Sequence, residues 1–90
     1  MINNLYMFFD RVAQSYVGQI MIMAKDNVAM RTIKSFVKNP QFPYKGMEED
    51  MQLYRIGTID VLNGKIVSEI SCICNLIDLV DKETKDEVSY

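Results

Sequence analysis

Gln52 to Ile70 reads QLYRIGTIDVLNGKIVSEI, two apolar runs rich in β-branched residues on either side of Asn63-Gly64. Asn-Gly tolerates the positive φ that a tight turn demands, so Asp60-Val61-Leu62-Asn63-Gly64-Lys65 is the strongest turn signal in the chain. Gln52 to Ile59 is therefore a strand, with Tyr54, Ile56 and Thr58 on one face and Leu53, Arg55, Gly57 and Ile59 on the other. Lys65 to Ile70 returns as its partner. Ser71 to Val80 fits a further strand or a short helix, because Ile73, Leu76, Ile77 and Val80 also recur at helical spacing.

Working back from that hairpin, two more strand-like runs stand near the start. Leu5-Tyr6-Met7-Phe8-Phe9 is short and aromatic. Tyr16 to Met23 follows, with Gly18 where a bulge or a close approach is expected. The polar stretch from Asp10 to Ser15 joins them. Leu5, Phe8, Phe9, Val12 and Tyr16 also suit a helix over residues 3–17, but the run from Gly18 to Met23 needs a neighbour to pair with, and a hairpin supplies one. Asp26 reads as a helix N-cap. Asn27 to Lys38 contains no Gly or Pro. It places Ala29, Met30, Ile33, Phe36 and Val37 on one face and Arg31, Lys34, Ser35 and Lys38 on the other. Asn39-Pro40 ends it, because the residue before a proline is pushed out of the α region. Gln41 to Asp50 is a loop. The order predicts an α+β fold: a small, mainly antiparallel four-stranded sheet (β-β-α-β-β) with one amphipathic helix packed on it. Residues 1–80 make one domain, and residues 81–90 a charged, frayed tail.

Ninety residues, 49% hydrophobic and 24% charged, bound the chain to one globular domain with a modest core. Seven methionines and nine aromatics, five Tyr and four Phe, exceed what so small a core needs, so a homo-oligomer is expected. The net charge of −2 conceals an asymmetry: residues 1–46 carry six basic and two acidic side chains, residues 47–90 four basic and ten acidic. Such a chain can bind an anion with its first half, stack head to tail, or neutralise itself within one fold. No run reaches the ~18 apolar residues of a membrane span, and Met1 to Phe9 lacks the basic start of a signal peptide; the expectation is a cytosolic protein without a membrane partner.

Little supports catalysis. There is no histidine, the commonest general base. The four glycines form no phosphate loop. Glu48, Glu49 and Asp50 are consecutive, so their side chains diverge. Cys72 and Cys74, two apart on a strand, share a face; they are ill placed for a mutual disulfide and too few for structural zinc. No enzyme, cofactor or metal is expected. The positive signal is basic and aromatic. Arg31, Lys34 and Lys38 line the outer helix face, and Phe42, Tyr44 and Lys45 follow. Single-stranded nucleic acid is held by a cationic groove with aromatic platforms. In that reading Arg31, Lys34, Lys38 and Lys45 meet phosphates, while Phe42 and Tyr44 stack on bases. The rival reading is a small oligomer that acts on another protein.

Ala24-Lys25-Asp26-Asn27, Ala29-x-Arg31 with Phe36-Val37-x-Asn39-Pro40, Glu49-Asp50-Met51-x-Leu53-Tyr54-x-Ile56-Gly57, and Asp60 with Gly64-Lys65-Ile66 form a pattern that resembles the small nonstructural protein of gokushovirus-type microviruses, which are single-stranded DNA phages. The resemblance spans roughly residues 5–80. Ile20-Met21-Ile22-Met23 departs from the family's aromatic-and-proline segment. The resemblance implies a nonstructural, DNA-binding protein of the host cytoplasm, active when replication turns to single-stranded DNA synthesis and packaging. It implies single-stranded DNA as partner, while the acidic net charge, the methionines and the small core favour the rival, a phage or host protein. The resemblance transfers no site residues.

Overall fold

In the computed structural model residues 1–80 are described; the charged tail read at 81–90 lies outside them. Strands β1 (Ile2–Asp10), β2 (Ser15–Met23), β3 (Met51–Asp60) and β4 (Ile66–Asn75) form one open antiparallel sheet in the order β2-β1-β3-β4. Helix α1 (Asp26–Lys38) joins β2 to β3 and packs on one face. The expected α+β architecture is the observed one. Residues 3–17 form the hairpin and not the competing helix. The Asp10 carboxylate accepts hydrogen bonds from the amides of Val12 (2.9 Å) and Ala13 (3.1 Å), which sets that turn. In the second hairpin Asp60 accepts from the Leu62 amide, Asn63 from the Lys65 amide, and Gly64 takes φ +76°. The ambiguous segment after Ile70 is both strand and helix. β4 continues to Asn75, and residues 76–80 are helical, which brings Leu76 fully into the core.

Ala29, Ile33 and Val37 recur once per turn on the inner face of α1 and meet Tyr6, Phe8, Met51, Leu53 and Leu76. Each large apolar side chain buried there stabilises the fold by about 1.5–3 kcal/mol. Phe36, read as part of the same face, stays 47% exposed at its edge.

Asp26 does not cap the helix. The N-cap is Lys25, which makes no side-chain cap bond. Asp26 is the first helical residue, and its carboxylate accepts from the Tyr6 hydroxyl (2.7 Å) and from the Arg55 guanidinium (2.5 Å). Arg55 brings a full positive charge that no backbone amide carries, and the Tyr6 hydroxyl joins it on the same carboxylate. The start of α1 is thereby tied to β1 and β3 together.

Irregularities in strand pairing place the side chains. The β3–β4 register shifts between Leu53 and Tyr54, so Cys74 stands opposite Leu53 and Cys72 opposite Tyr54, with Ile73 as the extra residue. The two cysteines therefore do not share a face: Cys74 packs against the core, while Cys72 is exposed. A one-residue bulge reverses the alternation that i, i+2 spacing implies. A second shift between Arg55 and Gly57 brings β4 so close that a Cβ on Gly57 would lie 2.2 Å from the Val67 carbonyl oxygen.

Two expected outcomes follow from these contacts. Gly57→Ala meets backbone, not a yielding side chain, and costs about 2–3 kcal/mol, which lowers the thermal midpoint by roughly 10 °C or more. A midpoint unchanged in calorimetry contradicts that close approach. The second outcome concerns pH. Burial pushes Asp26 up, but the Tyr6 hydroxyl and Arg55 outweigh it and hold the carboxyl below its usual value. Its stabilisation is present above the unfolded pKa of about 4 and is lost as pH falls through the folded value. Burial first, and then the bond to Asp26, push Tyr6 up to about 12. Its neutral form is favoured by folding, so this stabilisation is complete below the unfolded pKa of about 10 and is lost as pH rises towards the folded value. Tyr6→Phe costs roughly 2 kcal/mol at pH 7 in urea unfolding and flattens the loss of stability between pH 10 and 12; the same alkaline slope in both proteins contradicts the assignment.

Candidate nucleic-acid interface

The last turn of α1 and the loop after it build the candidate site. The Asn39 amide donates to the Phe36 carbonyl (3.0 Å), and the Asn39 side chain accepts from the Gln41 amide (2.9 Å). The amides of Phe42, Lys45, Met47 and Asp50 each donate to the carbonyl three residues back, a string of tight turns that folds the loop onto the sheet. Pro40 and Pro43 suit such turns because their φ is fixed. Phe8, Phe42 and Tyr44 end as three rings in mutual edge contact, with centroids 5.5–5.9 Å apart and planes at 70–82°.

Phe42 is thus a core residue, 7% exposed. A ring held there has no face to offer a base. A phenylalanine in a polar, proline-flanked loop reads as exposed, but a domain this small closes the edge of its core with whatever apolar group the loop brings. Tyr44 is half-buried. Its hydroxyl lies where a side chain at position 18 would begin: a Cβ on Gly18 would stand 3.0 Å away. Gly18 has φ +81° and belongs to the expected bulge, where Gly18, Gln19 and Ile20 face Met7 alone.

Between this bulge, the ring cluster and the end of α1 lies a cleft of about 580 Å³. Phe8, Met21, Phe36, Phe42 and Tyr44 give it apolar walls, and the side-chain amides of Gln19, Asn39 and Gln41 give it polar edges. Among the described residues neither a carboxylate nor an amine lines it. Lys45 follows Tyr44 and donates from its ammonium to the Val37 carbonyl, at the negative end of the helix. Lys38 is exposed on the last turn, Lys34 is half-buried one turn earlier, and Arg31 is exposed two turns earlier. Lys34 and Lys38 each already have an interaction partner. The fold therefore gathers Lys38, Phe42, Tyr44 and Lys45 beside the cleft and leaves Arg31 about 10 Å further up the helix.

Gln19, Phe36 and Gln41 belong to the cleft without having been legible as site residues, since nothing local marks them. A second aromatic group was also not legible. Phe9, Tyr16 and Tyr54 meet on the opposite face of the sheet at 4.9–5.6 Å, where Phe9 pairs directly with Tyr16 and Tyr54 reaches them from β3. Among the described residues no three His, Cys, Asp or Glu side chains cluster to hold a metal ion, and no helix is long and apolar enough to cross a membrane.

A family model described as phage ORF5 protein matches residues 3–79, which takes in all four strands, α1 and the cleft. No curated protein and no solved structure matches the chain.

Proposed function

The chain belongs to the phage ORF5 protein family, and we propose that it binds single-stranded DNA without catalysis, as a nonstructural protein of a microvirus-type phage, during genome replication or packaging in the host cytoplasm. The observation that carries this reading is the cleft: aromatic walls and side-chain amides at the end of a helix whose outer face is cationic. A nucleobase is apolar on its faces and has donors and acceptors on its edge. Side-chain amides offer one donor and one acceptor group each, the pairing a base edge uses. Phe36, half-exposed at the rim, supplies a stacking face worth about 1–3 kcal/mol. Tyr44 lines the cleft, and Phe42 supports it from the core. Arg31, Lys34, Lys38 and Lys45 meet the phosphates, with Lys34 and Lys38 exchanging their present partners for them. Among the described residues the Tyr44 phenol is the titratable group that faces the cleft.

Fluorescence anisotropy with a labelled oligothymidylate tests the proposal. With about four phosphate contacts, raising salt from 50 to 200 mM weakens binding roughly 50-fold. Arg31→Glu combined with Lys38→Glu, and separately Phe36→Ala, each weaken it at least about tenfold at low salt. Absence of binding at low salt, or binding indifferent to these substitutions, overturns the proposal.

A further inference from the structure

The sheet has a second face whose chemistry differs from that of the cleft side. α1 and Leu76 both pack on the core face, so no helix among the described residues covers the other. Leu5, Phe9, Tyr16, Ile22, Tyr54 and Cys72 stand there. Leu5 is buried yet apart from the helix-side core, and Ile22 is 53% and Tyr16 39% exposed. The four strands contain only four charged residues. Asp10 and Asp60 close the turns, Arg55 reaches Asp26 on the helix side, and Glu69 lies close enough to Arg55 to strengthen its charge. None of them is placed on the far face.

We propose that this uncharged face is the interface of a symmetric homodimer, with two copies packed sheet on sheet. Charge and area favour a second copy over other occupants. A face without charge meets its own image without repulsion, and it offers nothing to phosphates or to a charged partner. Residues 81–90 carry six charged side chains and suit it poorly. Four strands spaced about 4.8 Å apart, each nine or ten residues long at ~3.3 Å per residue, span roughly 19 by 30 Å. The accessible area of such a corrugated face is of the order of the ~800 Å² per partner that a stable complex buries. Interfaces of this kind are self-complementary, more apolar than the general surface, and pack sheets ~10 Å apart. Both clefts and the cationic helix faces then remain outside, so the dimer neither requires nor obstructs DNA binding.

Sedimentation velocity on the full chain decides. The wild-type protein sediments as a dimer at about 10 µM. Ile20 precedes the core-facing Met21 and so shares the far face with Ile22; Ile22→Lys and Ile20→Lys, both at positions already half-exposed, keep the far-ultraviolet circular dichroism and raise the dissociation constant roughly 100-fold. Val12→Lys, in the exposed turn after β1, leaves the dimer intact. A wild-type protein still monomeric at about 100 µM overturns the proposal and leaves the face to residues 81–90 or to a different protein. Folded Ile22→Lys and Ile20→Lys variants that remain dimeric overturn it equally.

Discussion

A helix of thirteen residues shields one face of a four-stranded sheet and no more. At about 1.5 Å per residue it is roughly 20 Å long, close to the width of the sheet it lies on. Its two ends are fixed by charge. Asp26 at the start draws Tyr6 and Arg55 to one carboxylate, and Lys45 closes the carbonyl of Val37 near the other end. Between them Ala29, Ile33 and Val37 press on Tyr6, Phe8 and Leu53. The loop after the helix has only the remaining edge of this core to close, and Phe42 with Tyr44 does so.

This one-sidedness sorts the surface chemistry. On the helix side, cations lie on the outer face of α1, and the unfilled corner at its end becomes a cleft with aromatic and amide walls. On the far side, uncharged β-branched and aromatic residues stay open. Part of the excess of apolar residues visible in the composition stays exposed on that face, as at Tyr16 and Ile22, and part lies in the turns, as at Val12 and Leu62. The charge asymmetry of the sequence is partly answered across the halves, since Arg55 from the acidic half pairs with Asp26 from the basic half.

The legible features of the fold were local ones. Asn63-Gly64 marks a hairpin because φ must turn positive there, Asn39-Pro40 stops a helix, and apolar spacing in the helix picked out Ala29, Ile33 and Val37. What escaped depends on partners remote in sequence. The carboxylate of Asp26 is claimed by residues 20 and 29 positions away. Cys72 and Cys74 part company because of an extra residue in one strand, which only the opposing strand defines. In the candidate site Tyr44, Lys38 and Lys45 lie together as their sequence proximity suggests, whereas Phe42 turns inward. Gln19 arrives from a bulge in another strand.

The most direct measurement of this two-sided arrangement is the rate at which each thiol reacts with an alkylating reagent in dilute, folded protein, read by mass spectrometry of the peptides. Burial pushes the Cys74 thiol up to about 11, and its side chain packs on the core, while Cys72 is exposed on the open face. Since the thiolate is the reactive form, Cys72 is expected to react at least about ten times faster than Cys74. Equal rates, or a faster Cys74, would mean that the bulge at Ile73 does not divide the two residues between the faces, and the one-sided sheet would be contradicted.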